Sequence, residues 1–287
     1  MIDETIALSV RALKKWVRNP AAVLPGLFTS IFYLVLFGNS FNPTSLVTTG
    51  LAGSGVPASV IAQIKTAILQ QTFGGAATYI TYLTAGVICL ILVFNMAFGG
   101  IDLVLDRQLG YLSTLLTSPI PRAAIYFSGV LQNLVKVMAL ALLTFLIALV
   151  IPDGLVLQSG FGPLNFIGIF ASFALLGFGL SCVFTALALS VRSIDSLVAI
   201  VNFVTLPLIF MSNALFPSGS FPDWLKAIAQ VNPISRTDEA ARLLIVNGTL
   251  SSSQLSTFAG DMLYLIVVVA ALTVVGYLAA RRALRPE

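Results

Sequence analysis

Few side chains in this sequence can do chemistry, and their types narrow the options. Histidine is absent, and the two cysteines, Cys89 and Cys182, lie inside apolar runs. Without a histidine or a cysteine cluster there is no ligand set for zinc, haem or an iron–sulfur centre. Thiols in such runs are inert packing groups. No Asp or Glu stands well inside an apolar run; Asp102 and Asp261 mark the ends of two. Catalysis inside a membrane is thereby left without an acid–base or nucleophilic pair. A GxxxxGK[ST] phosphate loop is missing as well, since neither Ser54-Gly55 nor Gly74-Gly75 opens a basic loop. Uphill work by this chain must draw on a partner or on an ion gradient.

What remains is a handful of polar groups in apolar surroundings. Lys136 is the only basic residue deep in such a run, where a lysine costs about 2.5–3.5 kcal/mol on insertion scales. Its run, Ala124 to Ile151, is 28 residues, about 42 Å of helix against a hydrocarbon core of about 30 Å. Pro152 fixes the far end, so the surplus projects at the near end and Lys136 can snorkel to the interface. The competing reading is ion coupling between Lys136 and Asp102. Asn95 and Asn202 are buried amides that either bind helices together or line a pathway.

The densest polar stretch runs from Asp102 to Arg122. Leu105, Leu109, Leu112 and Leu116 recur at helical spacing, which predicts one helix over about 103–118 with an apolar stripe. Asp106, Arg107, Gln108, Ser113 and Thr114 form its polar side, and Pro119 and Pro121 stop it. A helix lying passively on the membrane surface has the same pattern. A second polar stretch, Phe221 to Leu244, holds two short amphipathic segments. Pro222 and Asp223 start the first, which carries Trp224; Asn232-Pro233 breaks the chain; Arg236, Asp238, Glu239 and Arg242 line the second. This predicts either a hairpin dipping back into a membrane or two ordinary surface helices.

The elements that position these groups follow from composition. The chain is 58% hydrophobic and 9% charged, against about 25% charged in a soluble domain. Apolar runs near span length define an all-α integral membrane protein. An interfacial helix is expected over 2–18, with Ile6, Val10, Leu13 and Val17 opposite Arg11, Lys14, Lys15 and Arg18. Six spans are expected at about 21–38, 78–100, 124–151, 164–190, 196–215 and 261–280. Gly168, Ser172, Gly177 and Ser181 give the fourth a close-packing face, and Pro207 kinks the fifth. An amphipathic helix is expected over 56–71. No cleavable leader is read at the start, no internal repeat is evident, and 1–287 forms a single membrane domain.

Ten Lys and Arg fall on one side of these spans: Arg11, Lys14, Lys15, Arg18, Arg107, Arg122, Arg192, Arg281, Arg282 and Arg285. Lys65, Lys226, Arg236 and Arg242 fall on the other. The positive-inside rule therefore places both termini and the Asp102–Arg122 stretch in the cytoplasm. The net charge of +4 is read as this asymmetry, not as nucleic-acid binding.

In this arrangement the chain resembles the membrane subunit of type-2 ATP-binding-cassette (ABC) transporters, the group of daunorubicin-resistance and polysaccharide exporters. Three stretches carry the likeness: Asp106-Arg107-Gln108-Leu109-Gly110-Tyr111-Leu112 running to Thr117-Ser118-Pro119-Ile120; Phe216-Pro217 through Phe221-Pro222-Asp223-Trp224-Leu225; and Asn232-Pro233-Ile234-Ser235 with Glu239-Ala240-Ala241-Arg242. Gln108 and Ser113 stand where the family has acidic residues, and the connection after the first span is long. The resemblance implies a transporter of two permeases, identical or sister chains, with two separate nucleotide-binding ATPase subunits that use ATP and Mg. This chain would bind no cofactor itself. Residues 2–18 would be the elbow helix and 222–244 the re-entrant outer helices. The Asp106–Pro119 segment would be the coupling helix seated on the ATPase. The implied activity is export of a drug, lipid or lipid-linked glycan across the plasma membrane of a prokaryotic cell. A stand-alone gradient-driven transporter is the alternative, and it would show inverted repeats.

Overall fold

The computed structural model describes residues 2–40, 43–51, 55–118, 120–152 and 154–284, and these are helices and connecting turns with no strand among them. Pro119 and Asp153, each expected in a turn, lie outside the described residues. Helix α1 (Ile2–Val17) is followed by α2 (Pro20–Val35), which ends in a π turn, Leu36–Ser40. Two short helices come next, α3 (Pro43–Leu51) and α4 (Ala58–Gln71). Then come α5 (Tyr79–Phe98), α6 (Ile101–Gln108), α7 (Tyr111–Thr117), α8 (Arg122–Val150), α9 (Pro163–Ser190) and α10 (Ile194–Phe210). The chain closes with α11 (Asp223–Val231), α12 (Pro233–Asn247) and α13 (Ser252–Ala283).

Among the described residues, four helical stretches are long and apolar enough to cross a membrane: Tyr79–Gln108, Arg122–Val150, Pro163–Ser190 and Ser252–Ala283. Two shorter apolar ones are Leu24–Gly38 and Ile194–Phe210. Around the outside the large apolar side chains point outward, among them Phe28, Leu164, Ile167, Phe203, Phe210 and Leu263. Such an exterior is an error in water and the expected surface in lipid.

Helix α5 is the axis of the bundle. Its residues from Tyr79 to Val93 are all buried, against Leu34 of α2, Val137 and Ala141 of α8, Phe173 and Leu176 of α9, and Ile245 of α12. Gly86 lets the turn after α10 touch the α5 backbone, where an added Cβ would fall on the Ala214 carbonyl. A second, smaller core gathers Leu112 of α7, Tyr126 of α8, Cys182 and Ala186 of α9, and Ala280 and Leu284 at the α13 end. There the Tyr126 hydroxyl donates to the Cys182 carbonyl at 3.1 Å, and Gly276 is the residue that lets α13 cross both. Ser181 donates to the Val130 carbonyl at 3.1 Å, so the small face of α9 does serve close packing.

Candidate functional site

The stretch expected as one helix over 103–118 is two. Its first half, α6, continues the line of α5 after only Gly99-Gly100, and it stops at Leu109 because Gly110 takes a left-handed backbone, φ 76°. Only glycine adopts that conformation without strain, which makes Gly110 a hinge between two helical directions. The expected stripe is broken accordingly. Leu112 is buried in the smaller core, whereas Leu109 is 80% exposed and Leu105 is exposed beside it. The side chain of Leu116 lies outside what is described.

The polar side of this stretch turns inward more than the sequence suggested. Arg107 donates from Nη1 to the Val191 carbonyl at 2.8 Å, tying α6 to the link between α9 and α10. Gln108 leans the same way, 3.4 Å from the Arg192 carbonyl. Asp106 is half-buried and faces α1, sharing a small cavity with Arg11, Lys15 and Tyr111. Arg11 sits 4.0 Å over the Tyr111 ring, a cation–π contact between α1 and α7. Among the described residues, the exposed apolar part of this stretch is the Leu105–Leu109 edge, with Thr114 and Thr117 exposed beyond the hinge.

Helix α1 packs on α8, with the Ser9 hydroxyl 3.3 Å from the Ser128 carbonyl and Leu8, Ala12 and Trp16 lining a small cavity with Ile125 and Gln132 of α8. Ile6, Val10 and Val17 point away from the protein, as an interfacial helix requires.

Lys136 does not reach out to solvent. Its Nζ lies 3.2 Å from Asp102 Oδ2, with 12% of the lysine side chain and 46% of the aspartate exposed. The pair stands at one end of an open recess of about 560 Å³ between α2, α5 and α8, with Trp16 at its edge. Asn95 and Asn133 line the same recess. Asn95 Nδ2 bonds back to the Ile91 carbonyl at 2.9 Å. Asn133 is 1% exposed, and neither its Oδ1 nor its Nδ2 has a partner among the described residues. Gly99 makes room for that amide, since a Cβ there would come within 2.8 Å of it. Asn202 of α10 is only half-buried and sits away from this group.

At the other end of the bundle, Pro222 immediately precedes α11, and Asn232 both ends it and caps α12. Asn232 Oδ1 accepts from the Ile234 N–H at 3.0 Å, while its Nδ2 donates to the Leu208 and Met211 carbonyls at 2.7 and 3.2 Å. These are terminal carbonyls of α10, which has no further turn to satisfy them. Helix α12 begins at Pro233, directly after the Asn232 break, and is buried against α5, α9 and α13. Asp238, fully buried, pairs with Arg242 at 2.5 Å, and the Arg242 guanidinium lies 3.6 Å from the Tyr82 ring centre on α5. Arg236 pairs with Asp261 of α13 at 3.0 Å, and Glu239 accepts from Asn213 Nδ2 at 2.7 Å. Trp224 is 63% exposed on α11. Burial pushes the Asp238 carboxyl up to about 7, with Arg242 pulling the other way.

A model of the ABC-2 type transporter family matches residues 3–246. The chain belongs to the ABC-2 type transporter family. It is 30% identical over 253 residues to the ycf38 transport permease of Porphyra purpurea, across 86% of this chain and 75% of that one. The ycf38 transport permease of Cyanophora paradoxa is 24% identical over 295 residues, 99% of this chain and 90% of its own. The daunorubicin resistance ABC transporter permease protein DrrB1 of Streptomyces coeruleorubidus is 28% identical over 181 residues, 60% and 62% of the two chains. The chain is thus a multi-pass ABC permease subunit, and the ABC-2 family implies a separate ATP-binding partner.

Proposed function

We propose that this permease exports an amphipathic or hydrophobic molecule (a drug, a lipid or a lipid-linked glycan), driven by ATP hydrolysed on a partner seated against the Gly110 hinge. The observation that carries the reading is the exposed Leu105–Leu109 edge. An isolated leucine at a surface needs no explanation, but these two lie one turn apart just before a glycine hinge whose other faces are already committed to α1, α8 and the α9–α10 link. A load on this edge is passed directly into α5 through α6 and into the smaller core through Leu112. Rigid-body tilting of packed helices is the response such a linkage allows.

In this reading α2 and α10 are the remaining two of six spans, α1 is the elbow, and α11 and α12 re-enter the outer leaflet. Both termini and the hinge are cytoplasmic, in the plasma membrane of a prokaryotic cell. Two permeases assemble, as a homodimer or with a sister chain. Asn95, Lys136 and Asn202 are kept as pathway residues.

Leu105→Asp with Leu109→Asp should abolish stimulation of the partner ATPase while leaving the chain inserted and folded. Leu112 is unsuited to this test because its burial would confound folding with coupling. Affinity purification from native membranes should recover an ATPase subunit; if none is recovered and transport persists without ATP, the reading fails. The Lys136–Asp102 pair is the one observation that favours a gradient-driven carrier, and transport that follows the proton gradient and ignores ATP depletion would select it.

A further inference from the structure

We infer that the recess between α2, α5 and α8 is a binding site for the phosphate-bearing head of an amphiphile, with Lys136 and Asn133 as its ligands. The inference rests on the reading above only in placing this end of the bundle at a membrane interface. Three features of the recess point to a ligand rich in hydrogen-bond acceptors.

The first is Asn133. A buried amide with both ends unpartnered forfeits its desolvation cost with nothing in return. Buried polar side chains are otherwise satisfied as a rule. Here the amide forms part of the recess wall with its polar atoms covered, so a head group reaches it by a small displacement of that wall.

The second is Lys136. An ammonium has three donors, and a single bond, to Asp102, is seen at its Nζ. Lys136 stands one helical turn from Asn133 on α8, so both donors face the recess together. Asp102 holds the ammonium in place and neutralises it until a stronger acceptor arrives.

The third is the setting. Trp16 and Tyr33 line the recess, with Phe28, Ile31 and Phe32 of α2 exposed nearby. Trp16 belongs to a helix whose Arg11, Lys14, Lys15 and Arg18 are fitted to a headgroup layer. A polar head can enter at the level of the tryptophan while its chains stay against α2. A phosphate fits these donors because it offers several acceptor oxygens and the charge that an ammonium favours.

Tryptophan quenching tests the site directly, because Trp16 is one of two tryptophans and Trp224→Phe leaves it alone. The full chain carrying Trp224→Phe, in maltoside micelles, is titrated with a phosphatidic acid bearing a nitroxide close to the head. Saturable quenching is expected, and the matching diacylglycerol, which lacks the phosphate, should quench only in proportion to its amount. Lys136→Met should weaken the half-saturation about tenfold, the loss of one charge-assisted hydrogen bond, with Asn133→Leu weakening it less and Lys136→Arg restoring it.

Asp102→Asn should move it the opposite way, to tighter binding, because the carboxylate both repels the phosphate and competes for Nζ. Damage to packing would weaken binding in every variant, so the opposite sign separates the two. Competition by inorganic phosphate identifies a soluble phosphate compound as the source, and its failure to compete identifies a lipid head; either supports the site. Equal quenching by the two lipids, or unchanged affinity in both Lys136→Met and Asn133→Leu, overturns the proposal. No ATPase is present in the assay, so failure of the coupling reading leaves this result standing, and the reverse.

Discussion

Asn232 serves two helices at once, and its chemistry fixes what can replace it. Its carbonyl caps α12 and its amide nitrogen closes two carbonyls of α10. Asn232→Asp keeps the cap and loses both donors, placing a carboxylate against two carbonyl oxygens. Asn232→Asp should therefore melt lower than Asn232→Ala, which itself should cost about 2 kcal/mol; detergent melts of the three proteins check the order. Asp238 gives a second prediction. Burial holds its carboxyl up to about 7, above the ordinary value of about 3.9. A raised carboxyl binds its proton more tightly in the folded state. The stability this adds is complete below the unfolded value and is lost as pH rises through about 7. The melting temperature should fall between pH about 4 and about 7, and Asp238→Asn should flatten that fall without touching the Arg236–Asp261 pair.

Among the elements, those set by long apolar runs were legible in the sequence. The observed α5, α8 and α9 each start and stop within about two residues of the expected spans. Two others were misjudged at their ends for readable reasons. Helix α13 begins at Ser252, not near 261, because Ser251 and Gln254 form a reciprocal capping box, a signal present in the sequence. Helix α10 stops at Phe210, not near 215, soon after Pro207, where Asn232 takes over its carbonyls. The single helix expected over 103–118 failed because periodicity was read across Gly110, although a glycine after Leu109 is an ordinary helix stop. The sequence favours snorkelling for Lys136 over ion coupling with Asp102, and the structure shows the pair instead. Periodicity cannot say that Asp102, thirty-four residues earlier, would fold back against α8. Asn133 as an unpartnered group was not legible, since partners belong to the packing. Gly110→Ala tests the hinge: an L-residue at φ 76° should cost about 1 kcal/mol. It should lower ATPase stimulation more than it lowers the melting temperature of the bundle.

At the scale of the molecule, charge and packing make a joint prediction about orientation. The proposed cytoplasmic end carries Arg11, Lys14, Lys15, Arg107, Arg122, Arg192 and the tail arginines, while the α11–α12 end carries Lys226, Arg236 and Arg242. The three basic residues of the α11–α12 end are unequal in kind. Arg236 and Arg242 are paired with Asp261 and Asp238 inside the bundle, so they present little charge to a membrane surface. Orientation is set by the count of Lys and Arg, to which acidic partners contribute little, and that count already favours the hinge end, so insertion should follow it. Cys89 and Cys182 are both buried, which leaves the wild-type chain silent to a membrane-impermeant maleimide in intact cells. Against that background Lys226→Cys, in exposed α11, should label from outside, and Gln108→Cys, at the hinge, only after the cells are opened. Labelling in the reverse order would invert the molecule and remove the cytoplasmic partner from reach of the Leu105–Leu109 edge. Labelling of both in intact cells would mean that the hinge end is reached from outside, which no six-span arrangement of these helices allows.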